Sequence, residues 1–385
     1  MERHYFDYAA STPVDKRVEK AMRPYWSKTF GNPGSLHSFG QDASGAVFKA
    51  REKIAELINC HYEEIVFTGS ATEANNLALC GIVKAARKRG INMPKIIVSD
   101  IEHKSVLGSC CPMEYEGVEV VYLPVFKSGV VDLKRLEKEL DNRTILVSIM
   151  YANNEIGTIE PVEEVSEIVR KYRKNNFYPL IHTDAVQAFN YLDCDVKRLG
   201  VDLMTLSSQK IYGPKGIGLL YIKDKLIKEN LIFPIIKGGE QENKMRGGTE
   251  NVPGIIGFAK AAELVYKDRE IEVKRLKKLQ NYFISQAKNI SQEAGLNGDS
   301  KNRIPNNINM HFPAEDLLIK LDLEGFATST GSACSARAYK ASHVLKAIKL
   351  SKEKAERSIR ITMGKPTTKK EIDKLLKALK KVIKK

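Results

Sequence analysis

No run of about 18 apolar residues, the length that a membrane-spanning helix needs, occurs in the 385-residue sequence. The first residues, Met1 to Asp7, also lack the apolar core of a secretory signal and the basic amphipathic pattern of an organellar presequence. We therefore expect a chain that begins near Met1, has no membrane-embedded part and stays in the cytoplasm.

Cysteine is scarce, and its spacing excludes two common kinds of site. None of the six cysteines forms the C-x-x-C pair of zinc or thioredoxin-type sites, so we predict no metal centre. Adjacent Cys110 and Cys111 cannot bridge to each other without strain. In a cytosolic protein we expect free thiols, most of them buried like small hydrophobic residues. A catalytic function for one of them remains open.

Positive charge is in excess, with 62 Lys and Arg against 47 Asp and Glu, for a net charge of +15. Most of the excess is lysine on predicted helices and in the C-terminal tail, a pattern typical of a solvated surface. Attraction to an acidic protein or to RNA is the alternative. Because no basic stretch is interleaved with aromatic residues and no nucleic-acid module is recognisable, we expect no direct nucleic-acid binding.

Short β-branched runs alternate with helical patterns through the first half of the chain, which predicts an α/β fold with a doubly wound, mainly parallel sheet. The predicted strands are 64–68, 95–99, 118–123, 144–150, 180–183, 203–207 and 218–222. Helices are predicted between them, for example at 73–89 and 162–174. A long charged helix at about 255–288 and a smaller α+β segment follow. The final stretch has apolar residues on one helical face and lysines opposite, which predicts a packing helix.

Polar residues gather at the predicted strand ends, where open α/β sheets bind their ligands. The first predicted strand leads through Gly69 and Ser70 to Ala71 and Thr72, which open a helix. The N–H groups there and the Thr72 hydroxyl suit a phosphate, although an ordinary capped helix has the same pattern. Later strand ends carry His103, Asn153, Asn154, Glu155, Asp184 and Gln187. Structural hydrogen bonding or helix capping would explain His103 and Asp184 equally well.

Lys210 is the most informative of these residues. It lies between an apolar strand and a Gly/Pro turn, where a long cation has little structural purpose. A partly desolvated lysine amine can form a Schiff base with a carbonyl compound. Pyridoxal phosphate (PLP) requires a phosphate site, a lysine anchor and an acid at its pyridine nitrogen. Together, the strand ends fit PLP better than a nicotinamide or nucleotide cofactor.

A family resemblance covers nearly the whole chain. Its motifs include FTGSATEANNLAL, HTDAVQA, SSQKIYGPKGIG and STGSACSARAYKASHVL, in this order. The chain resembles the cysteine desulfurases of the iron–sulfur-cluster assembly and nitrogen-fixation type, within the class-V aminotransferases. The resemblance implies PLP-dependent transferase fold type I with a seven-stranded sheet. It also implies a large domain at 13–257 and a small domain formed by 1–12 and 258–385, which carries a cysteine loop at about 328–342.

The resemblance also implies functions for single residues. Lys210 matches the Schiff-base lysine, and Asp184 matches the carboxylate that keeps the pyridine nitrogen protonated. Gln187 matches the hydrogen-bond donor to the ring hydroxyl. His103 matches the imidazole that stacks on the ring and assists proton transfer, and Cys334 matches the nucleophile that receives sulfur.

Further matches concern the phosphate, the substrate and a second subunit. The implied phosphate contacts are Ala71, Thr72, Ser207 and Gln209. Thr249 matches a threonine that reaches the phosphate from a partner subunit, which implies a homodimer. Asn154 and Arg360 match residues near the cofactor and the substrate carboxylate, which Arg can bind with two parallel hydrogen bonds.

Two positions depart from the family pattern. Gln209 stands where the family usually has His, and its amide can still donate to phosphate. Glu240 interrupts a usual triple glycine in Gly238-Gly239-Glu240, so we expect a negative charge where the backbone should be compact.

The implied reaction converts L-cysteine to L-alanine and leaves a persulfide on Cys334. Either an iron–sulfur scaffold protein or a tRNA-thiolation enzyme would then accept the sulfur. Alternatives on the same fold are a selenocysteine lyase or an aminotransferase. A catalytically weak scaffold protein that mainly docks assembly partners is a further alternative.

Overall fold

The computed structural model describes residues 2–331 and 342–383. Cys334 and most of the predicted cysteine loop therefore lie outside the described residues. The strands are β1 His4–Tyr5, β2 Ile65–Thr68, β3 Lys95–Ser99, β4 Glu119–Leu123, β5 Thr144–Ser148, β6 Leu180–Asp184, β7 Leu203–Ser207, β8 Gly218–Ile222, β9 Gly295–Leu296, β10 Asn307–His311, β11 Phe326–Ala327 and β12 Ser358–Thr362.

The helices of the described residues are α1 Lys16–Met22, α2 Pro24–Ser27, α3 Ser38–Ile58, α4 Ala71–Lys88, α5 Lys104–Tyr115, α6 Leu133–Glu139, α7 Val162–Arg173, α8 Val196–Leu199, α9 Asp224–Lys228, α10 Val252–Ile290, α11 Leu317–Leu323, α12 His343–Ala347, α13 Lys352–Glu356 and α14 Lys369–Ile383. Short 3₁₀ turns occur at Tyr62–Glu64, Ser208–Lys210 and Glu242–Lys244.

The central sheet has seven strands in the order β2-β8-β7-β6-β5-β3-β4. The neighbours from β7 to β4 are parallel, whereas β8 runs antiparallel to both β7 and β2. The predicted α/β class and mainly parallel seven-stranded sheet are therefore confirmed. The carboxyl ends of β2, β3, β5, β6 and β7 all open at one edge of the sheet. That edge collects the side chains that follow them.

Helices cover both faces of this sheet, as a mainly parallel sheet requires. On one face, α3 and α10 contribute buried residues such as Ile54 and Phe258 to the largest apolar cluster. On the other face, α4 and α5 contribute Leu77 and Val106 to a second cluster. Every residue of β3, β5, β6, β7 and β8 is buried. The sheet edge with the carboxyl ends is thus held by a fully packed scaffold.

A third apolar cluster draws on Phe6 and on residues from Leu276 to Val382. It is built around the antiparallel sheet β12-β10-β9 and the parallel pair β1-β11. Helix α10 contributes to the first cluster with its beginning and to the third with its end. The division into domains at 257 and 258 remains a prediction.

The last helix, α14, is an amphipathic packing helix, as the sequence predicts. Its apolar residues Ile372, Leu375 and Leu379 are fully buried in the third cluster. Within residues 2–331 and 342–383, no helix combines the length and apolarity that a membrane span requires.

Replacing Phe283 by Ala should destabilise the protein by about 3–5 kcal/mol, because it removes a large side chain that is 0% exposed in the third cluster. The change Ile271→Ala on the same helix is the control, since Ile271 is 72% exposed and should shift stability by less than about 0.5 kcal/mol. Urea denaturation followed by circular dichroism measures both. Equal effects of the two changes would contradict the assignment of the third cluster.

Candidate active site

The N-terminus of α4 carries backbone N–H groups that would suit an anion. Ser70 caps the helix, because its Oγ accepts from Glu73 N at 3.1 Å and its carbonyl accepts from Ala74 N at 3.1 Å. The N–H groups of Ala71 and Thr72 have no hydrogen-bond partner among the described residues. Two such groups at the positive end of an 18-residue helix suit phosphate oxygens.

Gly218 brings β8 into close contact with this helix start. A Cβ atom at Gly218 would lie 2.5 Å from the carbonyl carbon of Ser70 and 2.7 Å from Ala71 N. Gly218 also pairs with Ser207 at the end of β7. The structure therefore brings Ser207 beside Ala71, as a shared phosphate site would require.

Asp184 ends β6 and is only 5% exposed. Its Oδ2 accepts from Asn75 Nδ2 at 2.8 Å, and its Oδ1 accepts from Val186 N at 3.0 Å. A buried carboxylate requires such donors, because its desolvation is otherwise very costly. Both oxygens act as acceptors, which is the arrangement of an ionised acid that can face a cationic ring nitrogen.

His103 caps α5 and lies close to two other predicted site residues. Its Nδ1 accepts from Ser105 N at 3.1 Å and is 2.8 Å from Ser105 Oγ. Burial lowers the pKa of the imidazole, the nearby charge of Asp184 raises it, and that of Lys210 lowers it further. His103 thus has a capping function, and it also lies within electrostatic reach of Asp184 and Lys210.

Lys210 ends the short helical turn that follows β7. Its Nζ donates to the carbonyl oxygens of Ala9 at 2.8 Å and Ala10 at 2.5 Å. Gln187 Nε2 donates to the same Ala9 oxygen at 3.0 Å. The amine of Lys210 and the amide of Gln187 therefore meet at one carbonyl group.

The N-terminal segment that supplies this carbonyl was missed by sequence reasoning. Ala9 N donates to Thr362 Oγ1 at 3.0 Å, which ties the segment to β12. Thr12 donates through its N–H and Oγ1 to the carbonyl of Gln209, at 3.1 and 2.9 Å. Most of these bonds use backbone atoms, so no side-chain pattern in the sequence could have indicated them.

Arg360 on β12 is 1% exposed. Its Nη2 forms an ion pair with Asp7 Oδ1 at 2.6 Å, and its Nη1 donates to the Asn154 carbonyl at 3.1 Å. Its Nε has no hydrogen-bond partner among the described residues. A buried guanidinium with an unused N–H group suits a carboxylate ligand. The predicted substrate-carboxylate residues, Asn154 and Arg360, are thus in contact.

Glu155 lies next to Asn154 and contacts both described ends of the chain around 332–341. Ser342 Oγ donates to Glu155 Oε2 at 2.5 Å. A Cβ at Gly331 would lie 3.0 Å from the same oxygen. The strand-end pattern singled out Glu155, but no function was assigned to it. The structure shows that its buried carboxylate lies where this segment leaves and rejoins the described chain.

Thr249 is exposed and lines a cavity of about 250 Å³ together with Thr68, Gly69 and Arg246. Arg246 forms an ion pair with Glu73 at 2.9 Å. The cavity therefore lies beside the end of β2, close to the segment that leads into α4.

The expected conflict at Glu240 is absent. Glu240 is exposed and forms an ion pair with Lys244 at 2.9 Å. The compact backbone lies instead at Gly238 and Gly247, because a Cβ on Gly247 would be 2.7 Å from the Gly238 Cα. The negative charge at position 240 therefore lies in solvent and does not disturb the close approach.

Comparison with known proteins agrees with this geometry. The family model described as "Aminotransferase class-V" matches residues 4–375. This chain belongs to that family. It is 47% identical to the cysteine desulfurase IscS of Dictyoglomus turgidum, over 99% of this chain and 94% of the relative. It is 43% identical to cysteine desulfurase IscS 1 of Archaeoglobus fulgidus, over 98% of this chain and 96% of the relative.

Two solved structures also superpose on this chain. A structure titled "NIFS-LIKE PROTEIN" matches with a TM-score of 0.91 and 37% identity, over 99% of both chains. A structure titled "SspA in complex with cysteine" matches with a TM-score of 0.81 and 36% identity, over 93% of this chain and 98% of that one. Relatives and solved structures thus place this family member within its cysteine desulfurase group.

PLP is the cofactor of this family, and the side chains present here fit it. The N–H groups at Ala71 and Thr72 would hold the phosphate. The Lys210 amine would hold the aldehyde carbon, and the Asp184 carboxylate would face the ring nitrogen. Gln187 and His103 lie beside these groups, as their predicted contacts with the ring would require.

The change Gly218→Ala should weaken PLP binding by at least about tenfold, because the added Cβ pushes against the backbone of Ser70 and Ala71. The matched control is Gly45→Ala on α3, where a Cβ would meet nothing within 4 Å. Absorbance titration of the apoprotein with PLP measures both affinities. Unchanged binding in Gly218→Ala would show that the phosphate does not lie at the start of α4.

Proposed function

We propose that this chain converts L-cysteine to L-alanine and takes the sulfur onto Cys334 as a persulfide. The observation that supports this proposal is the closeness of the predicted substrate-carboxylate residues to the segment that holds Cys334. The predicted carboxylate site, Asn154 and Arg360, adjoins Glu155, which contacts the chain on either side of the segment that holds Cys334. A substrate bound by its carboxylate would therefore lie near that segment.

Several side chains would act on the substrate, each at a different group. The buried Arg360 guanidinium binds its carboxylate through the unused Nε–H group. Lys210 and His103 can hold and move protons near the substrate Cα, because the two groups lie within electrostatic reach of each other. PLP, when bound, supplies an electron sink for the bonds at Cα. Asp184 favours that chemistry by keeping a negative charge beside the ring nitrogen.

Sulfur transfer requires the thiolate of Cys334, because the thiolate is the nucleophilic form. A sulfur–sulfur bond forms while the Cβ–S bond of the substrate breaks. The electron pair of the broken bond stays with the carbon fragment, which takes up protons and becomes L-alanine. Cys334 follows Gly331 by three residues in the sequence, and three residues span at most about 11 Å.

The change Cys334→Ala should abolish sulfide release from L-cysteine while leaving PLP binding intact. Cys111→Ala is the control, since Cys111 is an exposed free thiol outside the proposed site. Mass spectrometry of the cysteine-treated wild-type protein should find one additional sulfur atom on the Cys334 peptide.

The same experiment separates the alternative functions. An aminotransferase would keep its activity in Cys334→Ala, and a weak scaffold protein would show little sulfide release in the wild type. A selenocysteine lyase would release selenium from selenocysteine but little sulfur from cysteine. Sulfide release that survives the loss of Cys334 would contradict the proposed sulfur path.

We further propose a homodimer in which Thr249 reaches the phosphate site of the partner. Large apolar side chains are exposed on one stretch of the chain, and a contiguous exposed patch of this kind marks an interface. The four most relevant are Trp26, Phe30, Leu36 and Phe39, at 66%, 66%, 90% and 53% exposure.

This apolar stretch continues toward Thr249. Phe48, one helical turn before Arg51 on α3, packs edge-on against Tyr62 at 5.0 Å. Arg51 in turn forms an ion pair at 2.7 Å with Glu242, which lines the same cavity as Thr249. We propose that a second copy that covers the apolar stretch also covers the exposed Thr249.

Mixed dimers test the contribution of Thr249 across the interface. Thr249→Ala and Lys210→Ala homodimers should each lose most activity, because each lacks one part of every site. Refolding the two variants together should restore activity in heterodimers, since one site then has an intact Lys210 and an intact Thr249. Sulfide release measures the recovery. No recovery, with heterodimers present, would show that Thr249 acts within its own chain.

We place the protein in the cytoplasm, with an iron–sulfur scaffold protein or a tRNA-thiolation enzyme as the sulfur acceptor. The five described cysteines are free thiols, which suits a reducing compartment. Cys110 and Cys194 are buried, and Cys60 and Cys80 are partly buried against the apolar clusters. Four of the five described cysteines therefore pack like small hydrophobic residues, as expected.

A further inference from the structure

A chain of hydrogen bonds joins Asp184 to His103 through two residues that the proposed reaction does not use. Asn75, on α4, is fully buried. Its Nδ2 donates to Asp184 Oδ2 and to Ser105 Oγ, both at 2.8 Å. Ser105 Oγ lies 2.8 Å from Nδ1 of His103. These four side chains form one continuous path from the carboxylate to the imidazole.

The carboxylate of Asp184 fixes the orientation of the Asn75 amide group. Both oxygens of Asp184 act as acceptors, so the amide group that faces them must present hydrogen atoms. The reverse orientation of Asn75 would place its amide oxygen against the carboxylate. The two hydrogens of the amide nitrogen are then both used, one on Asp184 and one on Ser105. The amide oxygen has no hydrogen-bond partner among the described residues, and this orientation is retained despite that cost.

The orientation of Asn75 fixes the orientation of the Ser105 hydroxyl. Since Ser105 Oγ accepts from Asn75, its own hydrogen is available for Nδ1 of His103. The N–H of Ser105 also points to Nδ1, at 3.1 Å. A proton on Nδ1 would face both of these donors. Nδ1 is therefore the acceptor, and the proton of the neutral ring lies on Nε2.

We propose that Asn75 and Ser105 are positioning residues that let Asp184 hold His103 in its Nε2-protonated form. The inference deepens the proposed function, on which it rests. The carboxylate that would face the cofactor ring nitrogen thereby also determines which nitrogen of the neighbouring imidazole presents a proton to the substrate. Proton transfer at Nε2 needs no prior change of tautomer.

Several charged and titratable groups act on His103, and apart from Asp184 they lie outside this path. The charged and titratable groups that act on the imidazole are Asp184, Lys210, Glu155 and His343. Glu102 is its neighbour in the chain. None of them is altered when the Ser105 hydroxyl is removed. Burial lowers the pKa of His103, and donors to Nδ1 act in the same direction because they stabilise the neutral ring.

The test is nitrogen NMR of the holoenzyme labelled with ¹⁵N-histidine, with the His103 signals assigned from a His103→Gln variant. In the wild type, Nδ1 should resonate as an unprotonated nitrogen and Nε2 as an N–H. In Ser105→Ala, the two signals should move toward each other, because Nδ1 loses its hydroxyl donor. The pKa of His103 should rise, so the acidic limb of the pH–rate profile should move to higher pH.

Two further variants separate the effect of the hydrogen-bonded path through Asn75 and Ser105 from a general effect on α5. Ser109→Ala removes a buried hydroxyl on the same helix that donates only to the Ser105 carbonyl, at 2.9 Å, and it should leave the His103 signals unchanged. Asn75→Ala should move the signals in the same direction as Ser105→Ala. We expect kcat to fall roughly tenfold in Ser105→Ala, the rate equivalent of about 1.4 kcal/mol.

The inference is wrong if the His103 signals of Ser105→Ala match those of the wild type. It also fails if Ser109→Ala moves them as much, since the effect would then belong to the helix. The spectra require no turnover. A wild type without desulfurase activity but with Nε2-protonated His103 would therefore overturn the proposed function, but it would not contradict the inference about Asn75 and Ser105.

Discussion

The hydrogen bond between Asn75 and Asp184 is the contact on which the site depends. It joins the start of α4, where the phosphate would bind, to the end of β6, where the ring nitrogen would lie. A buried carboxylate can exist only where donors meet it, so Asp184 requires α4 to stay in its present position. The phosphate site and the acid are thereby kept at a fixed separation, as a rigid cofactor bound at both ends needs.

The sheet explains how much of this site could be predicted from the sequence. Parallel strands bring their carboxyl ends to one edge of the sheet. Predicting the strands therefore also places His103, Asp184 and Lys210 at that edge. Local patterns sufficed for this, because each strand is a short buried run that ends at a polar residue. The seven predicted strands agree with the observed ones to within two residues at each end.

The remaining contacts could not be predicted, since they join residues far apart in the sequence. Ala9 meets Lys210 through a backbone carbonyl, and Asp7 meets Arg360 across almost the whole chain. Ser105 looks like an ordinary residue of a helix start until Asn75 is seen beside it. Such pairs depend on how α4, α5 and the N-terminal segment pack. No pattern of hydrophobicity or turn residues encodes that packing.

Two buried groups near Asp184, His182 and Glu102, bear on how one carboxylate would act on both the ring nitrogen and the histidine. Burial lowers the pKa of His182 to about 3, and its two ring nitrogens bind Ser148 and Thr205 at 2.8 and 3.1 Å. Burial raises the pKa of Glu102 well above its usual range, and the charge of Asp184 adds to that shift. His182 is therefore neutral near pH 7.

A neutral His182 leaves the negative charge of Asp184 without a compensating cation on its own strand. In a medium of low polarity, such a charge acts strongly on whatever faces it. The Asn75 amide is one such group, and it passes the orientation on to Ser105 and His103. The ring nitrogen of a bound cofactor would be the other. A histidine cation at position 182 would have weakened both effects, and the complete burial of that ring prevents it.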